Sequence, residues 1–96
     1  MPKEDKSNQF VAIRSMFLSG SVKRMKDIEK LYPTLVAKSL GINHSRYIQK
    51  LYKPEEFSIK QIIALSSILE LDPQTIIDIV LKQVNTFSKQ GRKKAN

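Results

Sequence analysis

Arg46 and Gln49 are the residues of this chain best suited to chemistry with a partner. A guanidinium can grip guanine through two parallel hydrogen bonds, and a primary amide can pair in the same way with adenine. Three residues apart, they share one side of the segment if it is helical. His44 and Ser45 lie just before them, and Lys38, Lys50 and Lys53 lie around them. Ammonium groups so placed meet phosphate, which sets register and affinity but carries no sequence information. Each residue also has a plainer reading. An exposed arginine is ordinarily just solvated, a lone histidine is ordinarily a surface residue, and Tyr32, Tyr47 and Tyr52 more often pack than stack on bases. No second His, Cys or acidic group stands at ligand spacing from His44, so neither a metal nor another cofactor is expected. With no glycine-rich phosphate loop, no paired carboxylates and no nucleophile beside a base, the chain is not expected to be an enzyme.

The elements that would position these groups lie in Val36-Ala37-Lys38-Ser39-Leu40-Gly41-Ile42-Asn43-His44-Ser45-Arg46-Tyr47. Val36 and Leu40 stand four apart and share a helical face. Ala37 suits the close approach of two steeply crossing helices. Gly41 suits a left-handed turn, where a Cβ costs roughly 1–2 kcal/mol. Ile42 then returns to the core, Asn43 can cap the following helix, and Tyr47 faces inward. These are the mechanics of a helix-turn-helix over about 33–52. On a helical wheel of the second helix, Tyr47, Ile48 and Leu51 fall together. Ser45, Arg46, Gln49 and Lys53 fall opposite, with Lys50 at the margin.

The charge pattern points the same way. The 96 residues carry a formal +8, with a pI near 9.9, which by itself indicates only an affinity for polyanions. More specifically, no acid stands between Glu29 and Glu55, whereas Lys30, Lys38, Arg46, Lys50 and Lys53 all do. Glu55 and Glu56 sit just beyond, where they would weaken phosphate contact locally.

The length fits one domain with a modest core. The absence of cysteine suits a reducing cytoplasm, and no apolar run reaches membrane-spanning length. Residues 1–8 read as a disordered polar N-terminus without the apolar stretch of a signal peptide. Residues 9–87 read as one all-α domain, a compact bundle of five or six helices. Residues 88–96, with Lys89, Arg92, Lys93 and Lys94, read as a flexible basic tail able to track phosphate.

Phe10, Ile13 and Phe17 predict a first helix ending at Ser19-Gly20-Ser21. A second is expected from about Arg24 to Tyr32, with Met25, Ile28, Leu31 and Tyr32 inward, stopping before Pro33. Thr34 to Leu40 and Ser45 to Tyr52 form the motif. Ser58-Ile59-Lys60-Gln61 is a capping box, with Phe57 and Ile62 as its hydrophobic staple. Asp72-Pro73 opens the last helix, with Leu71 facing Ile76. Its apolar residues spread over roughly 200° of arc, more than one packing face needs. Either the helix is centrally buried, or Ile77, Leu81 and Val84 pair with a second subunit.

From about Tyr32 to Val80 the chain resembles the lambda-repressor-like helix-turn-helix domains, the Cro/repressor or XRE-type family. The matching residues are Val36-Ala37, Leu40-Gly41-Ile42, Asn43 and Tyr47, then Phe57-Ser58, Ile62, Ile63, Leu65 and Leu69-Glu70-Leu71-Asp72. The resemblance implies a compact five-helix fold that binds operator DNA, commonly as a dimer. Thr34-Leu35 occupies the place where family members often carry a phosphate-bracing glutamine, so Thr34 joins the candidate DNA contacts. The late apolar site of the second motif helix falls at Leu51, one residue beyond the family's position. The expected function is sequence-specific reading of double-stranded DNA by a bacterial or phage transcriptional regulator acting as a homodimer, away from any membrane. The alternative is a protein-interaction module, antitoxin-like or adaptor, that keeps the fold and uses its last helix as the interface.

Overall fold

The computed structural model describes residues 6–92, and the chain between them runs through five α-helices and two short 3-10 turns. The helices are α1 (Lys6–Leu18), α2 (Pro33–Leu40), α3 (His44–Tyr52), α4 (Ile59–Leu69) and α5 (Pro73–Arg92), with 3-10 turns at Met25–Ile28 and Pro54–Glu56. No strand occurs among the described residues. Residues 1–5 and 93–96 lie outside them, and with them most of the expected polar N-terminus and the end of the basic tail. The α1 backbone already begins at Lys6 and that of α5 continues to Arg92, so helix reaches into both segments read as unstructured.

Three helices stop by the same local device. An N–H two or three residues beyond the helix reaches back five residues, from Ser21 to Met16, Ile42 to Ala37 and Leu71 to Ser66, at 3.0, 3.1 and 2.8 Å. This closure needs a left-handed residue just past the helix. In α2 that residue is Gly41, at φ 75°; in α4 it is Glu70, at φ 57°. Starts are equally local. Ser58 accepts from the Gln61 N–H while the Gln61 side chain accepts from the Ser58 N–H, both at 3.0 Å. Asp72 accepts from the Gln74 N–H at 2.9 Å, with Pro73 at the first helical position.

The expected second helix is the main correction. Between Arg24 and Tyr32 only Met25–Ile28 coil, as a single 3-10 turn. Asp27 folds back to accept from the N–H groups of Lys23 and Arg24 at 2.8 and 3.0 Å, which favours a tight turn over a continuing helix. Pro33 begins α2 and bars helical geometry just before it, and Tyr32 takes φ 50°. Tyr32 is therefore exposed, contrary to its expected inward position, while Met25 and Ile28 are fully buried.

The core joins Ile13 and Phe17 of α1, Val36 and Ala37 of α2, Tyr47 and Leu51 of α3, Leu65 and Leu69 of α4, and Ile76 and Val80 of α5. α2 packs on α3 and α4, α1 packs on α4, and α5 lies against α4 and both 3-10 turns. Arg14 fastens α1 to the end of α4 by donating to the Glu70 carbonyl at 3.2 Å.

The two left-handed positions should respond oppositely to substitution. A Cβ at Gly41 would meet open space, so its cost is backbone strain alone. Gly41→Ala should destabilise by about 1–2 kcal/mol. Glu70→Gly should stabilise by about 0.5 kcal/mol, because relief of strain exceeds the entropy lost on ordering a glycine. Urea denaturation of both variants checks the pair.

Candidate nucleic-acid interface

The start of α3 is set by Asn43, whose side-chain oxygen accepts from the Arg46 N–H at 2.8 Å. That cap fixes the phase of the helix. Tyr47 and Leu51 are completely buried against α2 and the 3-10 turns, and Ile48 and Lys50 are half-buried at the margins. Outward lie His44, Ser45, Arg46, Gln49 and Tyr52, followed by Lys53. Thr34 and Lys38 are exposed one turn apart on α2. Thr34, Lys38, His44, Ser45, Arg46, Gln49 and Lys53 are thus exposed on α2, on α3 and just after it. Leu51 at its shifted position points inward.

Two of the candidates are already engaged. The Lys50 ammonium donates to the main-chain carbonyl of Glu56 at 2.8 Å, so Lys50 does not project freely to meet phosphate. The Gln49 amide donates to the Glu56 carboxylate at 3.1 Å. From the sequence, Glu56 is expected only to weaken phosphate contact locally; its attachment to α3 depends on a loop fold that residue spacing does not display. At the last residue of α3, the Tyr52 hydroxyl donates to the Glu29 carboxylate, and the Lys26 ammonium lies 5.6 Å from the centre of the Tyr52 ring. The Glu29 hydrogen bond holds the Tyr52 hydroxyl above the usual tyrosine range.

Gln83 is a second residue that sequence reasoning passed over. Its side chain accepts from the Met25 N–H at 2.8 Å and donates to the Leu51 carbonyl at 3.3 Å, tying α5 to the first 3-10 turn and to the end of α3. Beside it runs a groove of about 910 Å³ between α5 and that turn, floored by Phe17, Val22 and Ile79 and edged by Lys23, Arg24 and Lys53. The expected interface residues on α5 separate: Leu81 is 51 % exposed, whereas Ile77 and Val84 are half-buried against the core.

Residues 8–85 hold eleven Lys and Arg against seven Asp and Glu, which accounts for half of the +8; the other half comes from Lys89, Arg92, Lys93 and Lys94. Among the described residues no group of His, Cys, Asp or Glu is arranged to hold a metal ion, and no helix is long and apolar enough to cross a membrane. Comparison with protein-family models, curated proteins and solved structures returns no match to this chain.

Tyr47 stands directly behind the outward face, and its hydroxyl is buried with no hydrogen-bond partner among the described residues. Burial pushes its pKa up. The unfolded chain therefore loses this proton first, and stability held below the ordinary tyrosine value of about 10 declines as pH rises beyond it. Tyr47→Phe removes an unsatisfied polar group, and thermal melts should show it as stable as the parent or more stable, by up to about 1 kcal/mol near neutral pH. The advantage should widen above about pH 10, where the parent pays to keep the buried group protonated.

Proposed function

We propose that the chain is a sequence-specific double-stranded DNA-binding protein of lambda-repressor-like type, a transcriptional regulator of bacterial or phage kind. In this reading α3 enters the major groove. The observation that carries it is the capped α3 itself. Its inner side is closed by Tyr47 and Leu51, its outer side offers Ser45, Arg46 and Gln49, and neither α2 nor α3 contains an acid. Arg46 and Gln49 then meet base edges, with Ser45 and His44 beside them, while Lys53, Lys38 and Thr34 meet phosphate. Lys50 acts as a brace for the loop that follows α3. The role is one of binding without catalysis or cofactor, in the reducing cytoplasm where such DNA is found.

A monomer of this size reads few base pairs, and a two-fold dimer doubles the site at a half-site spacing of about 34 Å. We place the dimer contact on α5 around exposed Leu81, with Ile77 and Val84 beneath it. A second reading, a protein-interaction module, draws support from Ile59 and Ile63, one turn apart on α4 and 66 % and 52 % exposed. A regulator needs no such outward pair to read DNA.

Selection from random duplexes, followed by titration of the winner at several salt concentrations, tests the reading. With roughly three or four phosphates neutralised per protomer, log affinity should fall with a slope of about −3 to −4 against log salt. Arg46→Ala should cost roughly 1–3 kcal/mol on the selected site and much less on random DNA. Failure to bind any duplex at low salt would shift the assignment to the interaction module.

Leu81→Glu should give a folded monomer with weakened site affinity, measured by sedimentation and by fluorescence anisotropy. A parent chain that is already monomeric at micromolar concentration would remove the dimer from the proposal.

A further inference from the structure

Gln49 occupies the middle of the outward face of α3. At 100° per residue it lies opposite the midpoint between Tyr47 and Leu51, the two fully buried residues of that helix. A carboxylate is held at this same place. Glu56 Oε1 accepts from Gln49 Nε2 at 3.1 Å, and the Glu56 main-chain carbonyl accepts from Lys50 Nζ at 2.8 Å. Pro54 and Phe57, both buried, fix the two ends of the turn that carries it. The backbone of this turn is pinned by Lys50 whatever side chain stands at position 56. The carboxylate thus takes one hydrogen bond, from Gln49, on a turn whose backbone Lys50 holds, while Glu56 itself remains exposed.

A carboxylate has only acceptors to offer. In the major groove, guanine N7 and O6 and thymine O4 are acceptors as well and would be repelled. Adenine offers its N6 donor, but with the N7 acceptor alongside it. Cytosine offers the N4 donor with no acceptor of its own beside it, which leaves it the best match for a lone carboxylate. The Gln49 amide, having spent one donor on Glu56, keeps its carbonyl oxygen and one N–H for the neighbouring step. We infer that Glu56, which lies outside the recognition helix, is a base-reading residue of this interface, and that it selects cytosine at one fixed position of the site. Lys50 is its positioning residue. This rests on the DNA-binding reading above.

The experiment compares the full-length parent, Glu56→Gln and Lys50→Met by selection from one random duplex pool, with circular dichroism melts to establish that each is folded. The parent should recover sites with an invariant cytosine at one position. Replacing that cytosine should weaken the parent about tenfold to a hundredfold. Glu56→Gln should lose the cytosine requirement while keeping the remaining positions, because the amide presents a donor as well as an acceptor. Lys50→Met should relax the same position and no other, with little change in the salt slope, since its ammonium faces the loop. A Glu56→Gln protein that keeps the parent's preference overturns the inference and leaves DNA binding intact. A Glu56→Gln protein that merely binds all sequences more tightly also overturns it, showing a carboxylate that only repels phosphate. A parent that selects no duplex overturns the DNA-binding reading and this inference together.

Discussion

Three residues, Gly41, Ile42 and Asn43, set the direction and the rotation of α3, and the character of the outward face follows from both. The left-handed geometry at Gly41 ends α2 and turns the chain. The Asn43 cap then fixes where the next helix begins. With the starting point fixed, the 3.6-residue period decides that Tyr47 and Leu51 go inward and Gln49 outward. A shift of one residue at the cap would turn the helix by about 100°, putting Ile48 and Tyr52 inward in one sense and burying Arg46 and Lys50 in the other. Burial of a charge there would cost far more than the cap contributes, so the apolar pair and the cap enforce the same register.

Local signals in the sequence account for most of the helix boundaries. Ser58 with Gln61, Asp72 with Pro73, and glycine at 41 each act within a few residues, and each performs in three dimensions what its spacing predicts. The β-branched run Ile76-Ile77-Asp78-Ile79-Val80 forms helix because the cap before it and the apolar period after it outweigh intrinsic preference. The segment before α2 misleads for the opposite reason. Met25, Ile28 and Leu31 have helical spacing, yet the Asp27 side chain takes the N–H groups that precede it and Pro33 claims the residues that follow. Apolar spacing identified Met25 and Ile28 as buried but could not identify the backbone that buries them.

The candidate interface was legible to the extent that it depends on helix phase, and obscure where it depends on side chains from elsewhere. The exposed row of Ser45, Arg46 and Gln49 follows from periodicity. The attachment of Gln49 and Lys50 to Glu56 does not, since it requires the 3-10 turn at Pro54–Glu56 to fold back on the preceding helix. Nor could Gln83 be singled out, because its partners Met25 and Leu51 are distant in the chain and offer backbone groups that every residue possesses. Charge divides in a related way. Half of the net charge belongs to Lys89, Arg92, Lys93 and Lys94, where it adds attraction to any polyanion without marking out a site.

Gln83 has a mechanical effect beyond its two hydrogen bonds. It grips the chain at Met25 and at Leu51 from a single point on α5. Sliding or rolling α5 would stretch one grip or the other, and relaxing both would strand a main-chain donor and a main-chain acceptor in partly buried surroundings. The position of α5 is therefore tied to that of the C-terminal turn of α3. Leu51, one of the two points held by Gln83, lies on the inner side of the helix whose outer face carries Arg46 and Gln49.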